Sequence, residues 1–185
     1  MTAPTHRQPR QRDDRRAAAP FLALCILLTA AATSTAPAAA QTGGCAPSRT
    51  LPNGAIELDC GAGLTIVVEA TTRWRVEGPA GRPDRLVVDR GAALVDFDRP
   101  GTGFQIQTPR AIASVRGTTW AVDVTAAATA VLTLSGAVAV TRRAGGEGVV
   151  LRPGEGVDVG AGSTRLQVFR WGTARVQRLL ARLGR

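Results

Sequence analysis

Between residues 104 and 124 two runs with the alternation of β-strands meet at a single glycine, and the alternation changes phase there. Before Gly117 the apolar positions are odd-numbered, Ala111, Ala113 and Val115, with Ile112 the exception; after it they are even-numbered, Trp120, Val122 and Val124. Side chains of a strand alternate between two faces, so a one-residue shift turns the apolar set over unless the chain bends or takes in an extra residue. Glycine tolerates either distortion. The expectation is a bulge or sharp bend inside a sheet at Gly117.

Short runs rich in Val, Ile and Leu fill most of the chain after residue 60: 64–69, 85–89, 92–97, 103–108, 112–115, 119–124, 130–134, 137–142, 149–151 and 157–159. Gly, Pro or Asn separates them. Such a density of short strands predicts a single all-β domain with glycine turns, its sheet rolled, solenoid-like or sandwich-like. Gly54, Gly91, Gly136 and Gly154 each precede a strand, where a turn calls for positive φ. The pattern changes from Thr173. Val176, Leu179, Leu180 and Leu183 follow helical spacing, and Arg175, Arg178, Arg182 and Arg185 fall on the other side, which predicts an amphipathic helix with Thr173 as N-cap candidate. Two roles fit it: a closing helix over an open edge or face of the sheet, or a docking element for anionic lipid or a partner groove.

The central segment resembles the core motif of the FecR-domain family, carried by Thr108, Pro109, Val115, Arg116, Gly117, Thr118, Trp120, Val122 and Val124. Upstream, residues 86–97 resemble that family's strand, glycine turn and strand; downstream, 134–140 and 151–157 resemble its last two turns. The likeness covers about residues 51–159. It implies a periplasmic sensing or scaffolding domain. The family's membrane regulators also carry a cytoplasmic anti-sigma segment, and the 16 residues before the apolar run are too few for one. Iron-linked sigma-factor control is therefore not expected.

The first forty residues have the make-up of an export signal: five arginines, Arg7, Arg10, Arg12, Arg15 and Arg16, an apolar run from Ala17 to Ala32, and Pro37-Ala38-Ala39-Ala40 before Gln41. The apolar stretch is shorter than the roughly 20 residues of a membrane span. The expected organisation is a signal peptide at 1–40, a linker at 41–50, the β domain at 51–168 and the helix at 169–185, with a periplasmic or secreted location. Export leaves Cys45 and Cys60 in an oxidising compartment with the turn signal Asn53-Gly54 between them, so a disulfide is expected. From residue 41 on there are 18 arginines and 12 acidic residues, a net charge of 18 − 12 = +6, and no lysine. For an exported protein that balance points to lipid headgroups, cell-wall polymers or acidic protein faces, and not to nucleic acid.

Catalysis finds little support. The one histidine, His6, belongs to the export segment, and the rest of the chain has no lysine or tyrosine, so most general bases and covalent nucleophiles are missing. Asp89, Asp96 and Asp98 remain as carboxylates, best read as solvent-facing strand residues. No metal spacing, nucleotide loop or cofactor motif occurs. Arg116 is a candidate for an acidic partner, or for a structural salt bridge to Asp123 or Asp96. Trp120, in phase with Val122 and Val124, suits the core. Trp74 between Arg73 and Arg75, Trp171 beside Arg170, and Arg175, Arg178 and Arg182 of the helix are candidates for a partner surface.

These residues lead to an exported, non-catalytic binding, sensing or scaffolding module for an envelope protein or cell-wall polymer. Two alternatives are a membrane-tethered signalling component of the anti-sigma type and a carbohydrate- or cell-wall-binding module. The exported form is predicted to begin at or near Gln41, and intact-mass measurement on exported material checks this. A mass that includes residues 1–40 favours the tethered alternative.

Overall fold

The computed structural model describes residues 43–79, 82–98, 103–115, 117–146, 148–162 and 165–185. Residues 1–40, for which an export signal is expected, and Arg116 lie outside these residues. The described elements are β1 (Ala46–Thr50), β2 (Ile56–Asp59), β3 (Leu64–Val68), β4 (Arg73–Glu77), β5 (Arg85–Phe97), β6 (Phe104–Gln107), β7 (Ala111–Val115), β8 (Thr118–Val124), β9 (Ala128–Ser135), β10 (Val138–Arg142), β11 (Val149–Leu151), β12 (Glu155–Gly160), β13 (Val168–Arg170) and α1 (Thr173–Arg182).

β5 belongs to two sheets. Its first half pairs antiparallel with β4 and parallel with β6; its second half pairs antiparallel with β3 and β8. One sheet, here the open sheet, runs β4-β5-β6-β7-β10-β11; the other, the helix-side sheet, runs β1-β2-β3-β5-β8-β9-β12-β13. The passage falls at Gly91, whose φ is 95°. In place of the expected turn between two strands, one strand bends through the glycine and changes partners as it does so. A Cβ at Gly91 would run into the backbone of Thr72, whose hydroxyl donates to the Ala92 carbonyl at 3.0 Å and accepts from the Ala92 N–H at 3.1 Å.

The chain crosses between the sheets again at Gly117, and here the expectation of a distortion inside one sheet is corrected. β7 ends at Val115 in the open sheet, and β8 begins at Thr118 in the helix-side sheet. The inner faces of the two sheets look at each other, so Ala111, Ala113 and Val115 and then Thr118, Trp120, Val122 and Val124 all point into one interior. That reversal of facing is the phase change in the sequence. Ile112, the exception, is half-buried on the outer face opposite Gln107 and Thr141.

Two apolar layers result. Between the sheets lie Ile66, Val68, Val95, Ile106, Val122, Val131 and Val140, with fully buried Trp120 meeting Phe104 edge-on, ring centres 6.2 Å apart. On the far side of the helix-side sheet, Val67, Leu94, Ala121 and Leu132 pack against Trp171, Leu179 and Leu183. With both of its faces covered, β5 is buried from Gly91 to Val95 without alternation, as expected of a strand enclosed on two sides.

The first hairpin and the helix hold each other. A Cys45–Cys60 disulfide closes the base of β1–β2, with Cα atoms 3.9 Å apart. At the hairpin tip the Asn53 amide donates to the carbonyls of Ala181 and Arg182 at 2.9 and 3.1 Å, satisfying acceptors that a helix end leaves without intrahelical partners. The helix starts later than the expected residue 169, because residues 168–170 pair with β12 as the last strand. Gly172 and not Thr173 holds the N-cap position, with no side-chain cap.

Gly117 has φ 66° and open space around the position of a Cβ, so only its conformation resists substitution. Gly117→Val is predicted to cost about 1–3 kcal/mol. Gly91→Val is predicted to cost more, because the side chain also meets Thr72. Denaturant unfolding gives the order, and a Gly117→Val protein as stable as the parent refutes the conformational argument. Reduction of the disulfide, which closes a loop of 15 residues, is expected to remove up to about 3 kcal/mol while leaving the β circular dichroism in place.

Candidate partner surface

The family-motif residues form the frame. Thr108 is buried, and its hydroxyl accepts from the Ala111 N–H at 2.9 Å, donates to the Ala111 carbonyl at 3.0 Å and lies 2.9 Å from the Thr129 hydroxyl. It closes the β6–β7 turn and ties that turn to the other sheet, while Pro109 sits exposed at the tip. Val115, Thr118 and Trp120 are core residues around the Gly117 crossing.

Several surface candidates have inward roles. Trp171 is 8% exposed and packs in the helix-side layer against Gly156, where a Cβ would collide with the indole. Arg175 lies over it, guanidinium carbon 3.6 Å from the ring centre, and pairs with Asp158 through contacts of 2.5 and 3.0 Å. Arg182 spans Glu69, with two contacts of 2.9 and 2.8 Å, and Asp123 at 2.8 Å. Arg185 reaches Glu57 at 3.0 Å. The sequence placed these arginines away from the protein, but their long stems let them fold back to carboxylates that the sheet alone displays. Arg178 remains exposed. Trp74 sits on the edge strand β4, as expected, but is half-buried against the core. Of the two acidic residues considered for Arg116, Asp123 pairs with Arg182 at 2.8 Å and Asp96 accepts from the Thr119 hydroxyl at 2.9 Å, while Arg116 itself lies outside the described residues.

The helix therefore belongs to the closure of the domain, and the other outer face is the one left uncovered by any described element. Across the open sheet the register brings Glu77, Arg85, Gln105, Ser114, Ala139 and Val150 into one transverse row. Arg75, Val87, Gln107, Ile112 and Thr141 make the next. Charges are confined to the β4 side, where Glu77 bridges Arg75 at 2.8 Å and Arg85 at 3.2 Å. Towards β11 the row becomes neutral and small, ending at Val150, which is 62% exposed. A groove of about 610 Å³ runs across this row, from Asp84 and Arg85 at the β5 side to Ser114, Ala139 and Val150. Sequence reasoning missed this surface. Its signal was the uncharged outward positions of β6, β7 and β10, where a solvated strand face usually carries charge. Among the described residues no group of three or more metal-ligating side chains occurs, and no helix is long and apolar enough to cross a membrane.

The model of the FecR protein family matches residues 47–139, half of the chain, and the chain belongs to that family. No curated protein matches it. Two crystal structures of a "putative anti-sigma factor" from Parabacteroides distasonis ATCC 8503, at 1.65 and 2.50 Å resolution, are similar at 21% identity. Their TM-scores are 0.48 and 0.47; each likeness covers 76% of this chain and 63% and 62% of the other. The family match ends inside β10, so β11, β12, β13 and the closing helix lie beyond it.

The Arg182 clasp gives a pH test. Hydrogen bonding to Arg182, opposed by burial, holds the Glu69 carboxyl below its usual 4.5. A carboxylate depressed in the folded state stabilises fully above its unfolded pKa, and the stabilisation is lost as pH falls through the depressed value. The protein is predicted to lose stability below about pH 4.5. Glu69→Gln is predicted to be less stable at neutral pH with a shallower loss in acid. Thermal melts across pH check it, and parallel curves for the two proteins count against the clasp.

Proposed function

We propose that this FecR-family domain is an exported, non-catalytic module that receives or scaffolds a protein partner of the cell envelope on the outer face of the open sheet. The observation that carries this reading is the asymmetry of the sandwich. The helix and its arginines seal one outer face, while the other presents a groove that is charged at its β5 side, through Asp84 and Arg85, and neutral and small towards β11, through Ser114, Ala139 and Val150. Neutral surface with an apolar end is cheaper to desolvate than a charged strand face. The disulfide suits an oxidising compartment. Membership of the family favours a part in signalling across the envelope. The absence of histidine, lysine and tyrosine after residue 40 leaves few groups for acid–base or covalent chemistry.

Site-specific photo-crosslinking in cells tests the surface. A crosslinker at Ala139 is predicted to give a discrete protein adduct that Ser114→Arg abolishes, while one at Gln177 on the exposed side of the helix gives none. An adduct from Gln177 alone, or one from Ala139 that survives Ser114→Arg, overturns the assignment.

A further inference from the structure

One end of the sandwich carries a row of arginines that no carboxylate of the described residues neutralises. Arg73 of β4 stands opposite Arg90 of β5 in the register. β6 runs parallel to β5 and delivers the β6–β7 turn, with Arg110, to the same end. Arg143 follows β10 there, its N–H donating to the Arg110 carbonyl at 2.9 Å. The row spans four strand intervals, about 19 Å at about 4.8 Å each. Arg73, Arg90 and Arg143 are exposed and Arg110 is half-buried, its guanidinium donating to the Ala126 carbonyl at 2.7 Å. The acidic residues near this end are engaged: Asp89 by Arg75 at 3.6 Å, Glu69 and Asp123 by Arg182. Glu147, four residues beyond Arg143, lies outside the described residues. The opposite end mixes Asp59, Asp84, Asp96 and Asp98 with Arg82 and Arg152, an excess of two acidic residues against the four arginines of the rim.

We infer that this rim is a docking surface for the phosphate headgroups of an anionic lipid membrane. Guanidinium forks pair with phosphate through two parallel bonds. A protein partner would ask for buried aromatic or aliphatic anchors, whereas the exposed residues between the arginines are Pro109, Thr125, Ala126, Ala127 and Ala144. A row of fixed charges without anchors suits a flat array of phosphates. The inference rests on the sandwich and not on the partner reading. The groove beside Gly103, Val115 and Ala137 opens towards the other end of the same sheet, so a domain resting on lipid through its arginine rim keeps that groove free.

Sedimentation of the full chain with vesicles tests it, using phosphatidylcholine alone and phosphatidylcholine mixed with phosphatidylglycerol. The apolar run at 17–32 is common to every protein compared, so differences between variants report the rim. Replacing Arg73, Arg90, Arg110 and Arg143 by Gln is expected to lower the partition coefficient on anionic vesicles by roughly two to three orders of magnitude, at about fivefold per arginine. Added salt is expected to weaken the parent's binding. A charge-matched variant with Arg82, Arg152, Arg170 and Arg178 changed to Gln keeps most of it. If Arg110→Gln disturbs folding, seen as a lowered melting temperature, the triple change at Arg73, Arg90 and Arg143 gives the same test with a smaller loss. Equal losses in the two charge-matched variants assign binding to net charge and overturn the proposal. A parent protein that does not distinguish the two vesicles overturns it as well, leaving the rim to an acidic protein.

Discussion

The passage of β5 from one sheet to the other is the constraint on which the remaining architecture depends. A strand that pairs with β4 and β6 before Gly91 and with β3 and β8 after it fixes the two sheets at their common corner. Thr72 occupies the space a side chain would take, so the bend is held by backbone contact as well as by torsion. Gly117 then returns the chain between the same sheets, and the Thr108–Thr129 hydroxyl contact ties them at the corner end. With the sheets set by these ties, the buried valines and isoleucines pack between them.

The helix solves a different problem. A sheet covered on one side by its partner still has a second face, and the helix-side sheet makes that face apolar with Val67, Leu94, Ala121 and Leu132. Leu179, Leu183 and Trp171 cover it, while Arg175, Arg182 and Arg185 find carboxylates on the sheet's margin. Exposed ion pairs contribute little singly. Their value here is positional: Arg182 bridges two acidic residues 54 positions apart, Glu69 and Asp123, and Asn53 caps the same helix end from the disulfide-bonded hairpin. Both ends of the described chain are thereby fixed to the same face.

Sealing one outer face leaves the other as the sheet face uncovered by any described element. The open sheet divides its surface by chemistry: charges on the β4 side, neutral residues towards β11, arginines along one rim. Each zone draws one residue from each of several strands, so none forms a contiguous sequence motif. That is why the groove and the rim escaped sequence reasoning while the family motif, local by nature, did not.

What the sequence determined by itself was local. Alternation and glycine spacing specified most of the strands and the positive φ of Gly54, Gly91, Gly136 and Gly154; the leucine spacing specified the helix, and the cysteines and the turn between them specified the disulfide. These follow from backbone geometry over a few residues. Tertiary structure decided what depends on partners far along the chain. Residues 85–97 are one bent strand and not a hairpin because β3, β4, β6 and β8 pair with its two halves. The phase shift at Gly117 marks a change of sheet because β8 finds β5 and β9 across the core. Trp171 and the helical arginines turn inward because Gly156, Asp158, Glu69 and Asp123 wait there. An amphipathic pattern states that a helix has an apolar side and a charged side; only the surface it lands on decides whether those charges face water or close the fold.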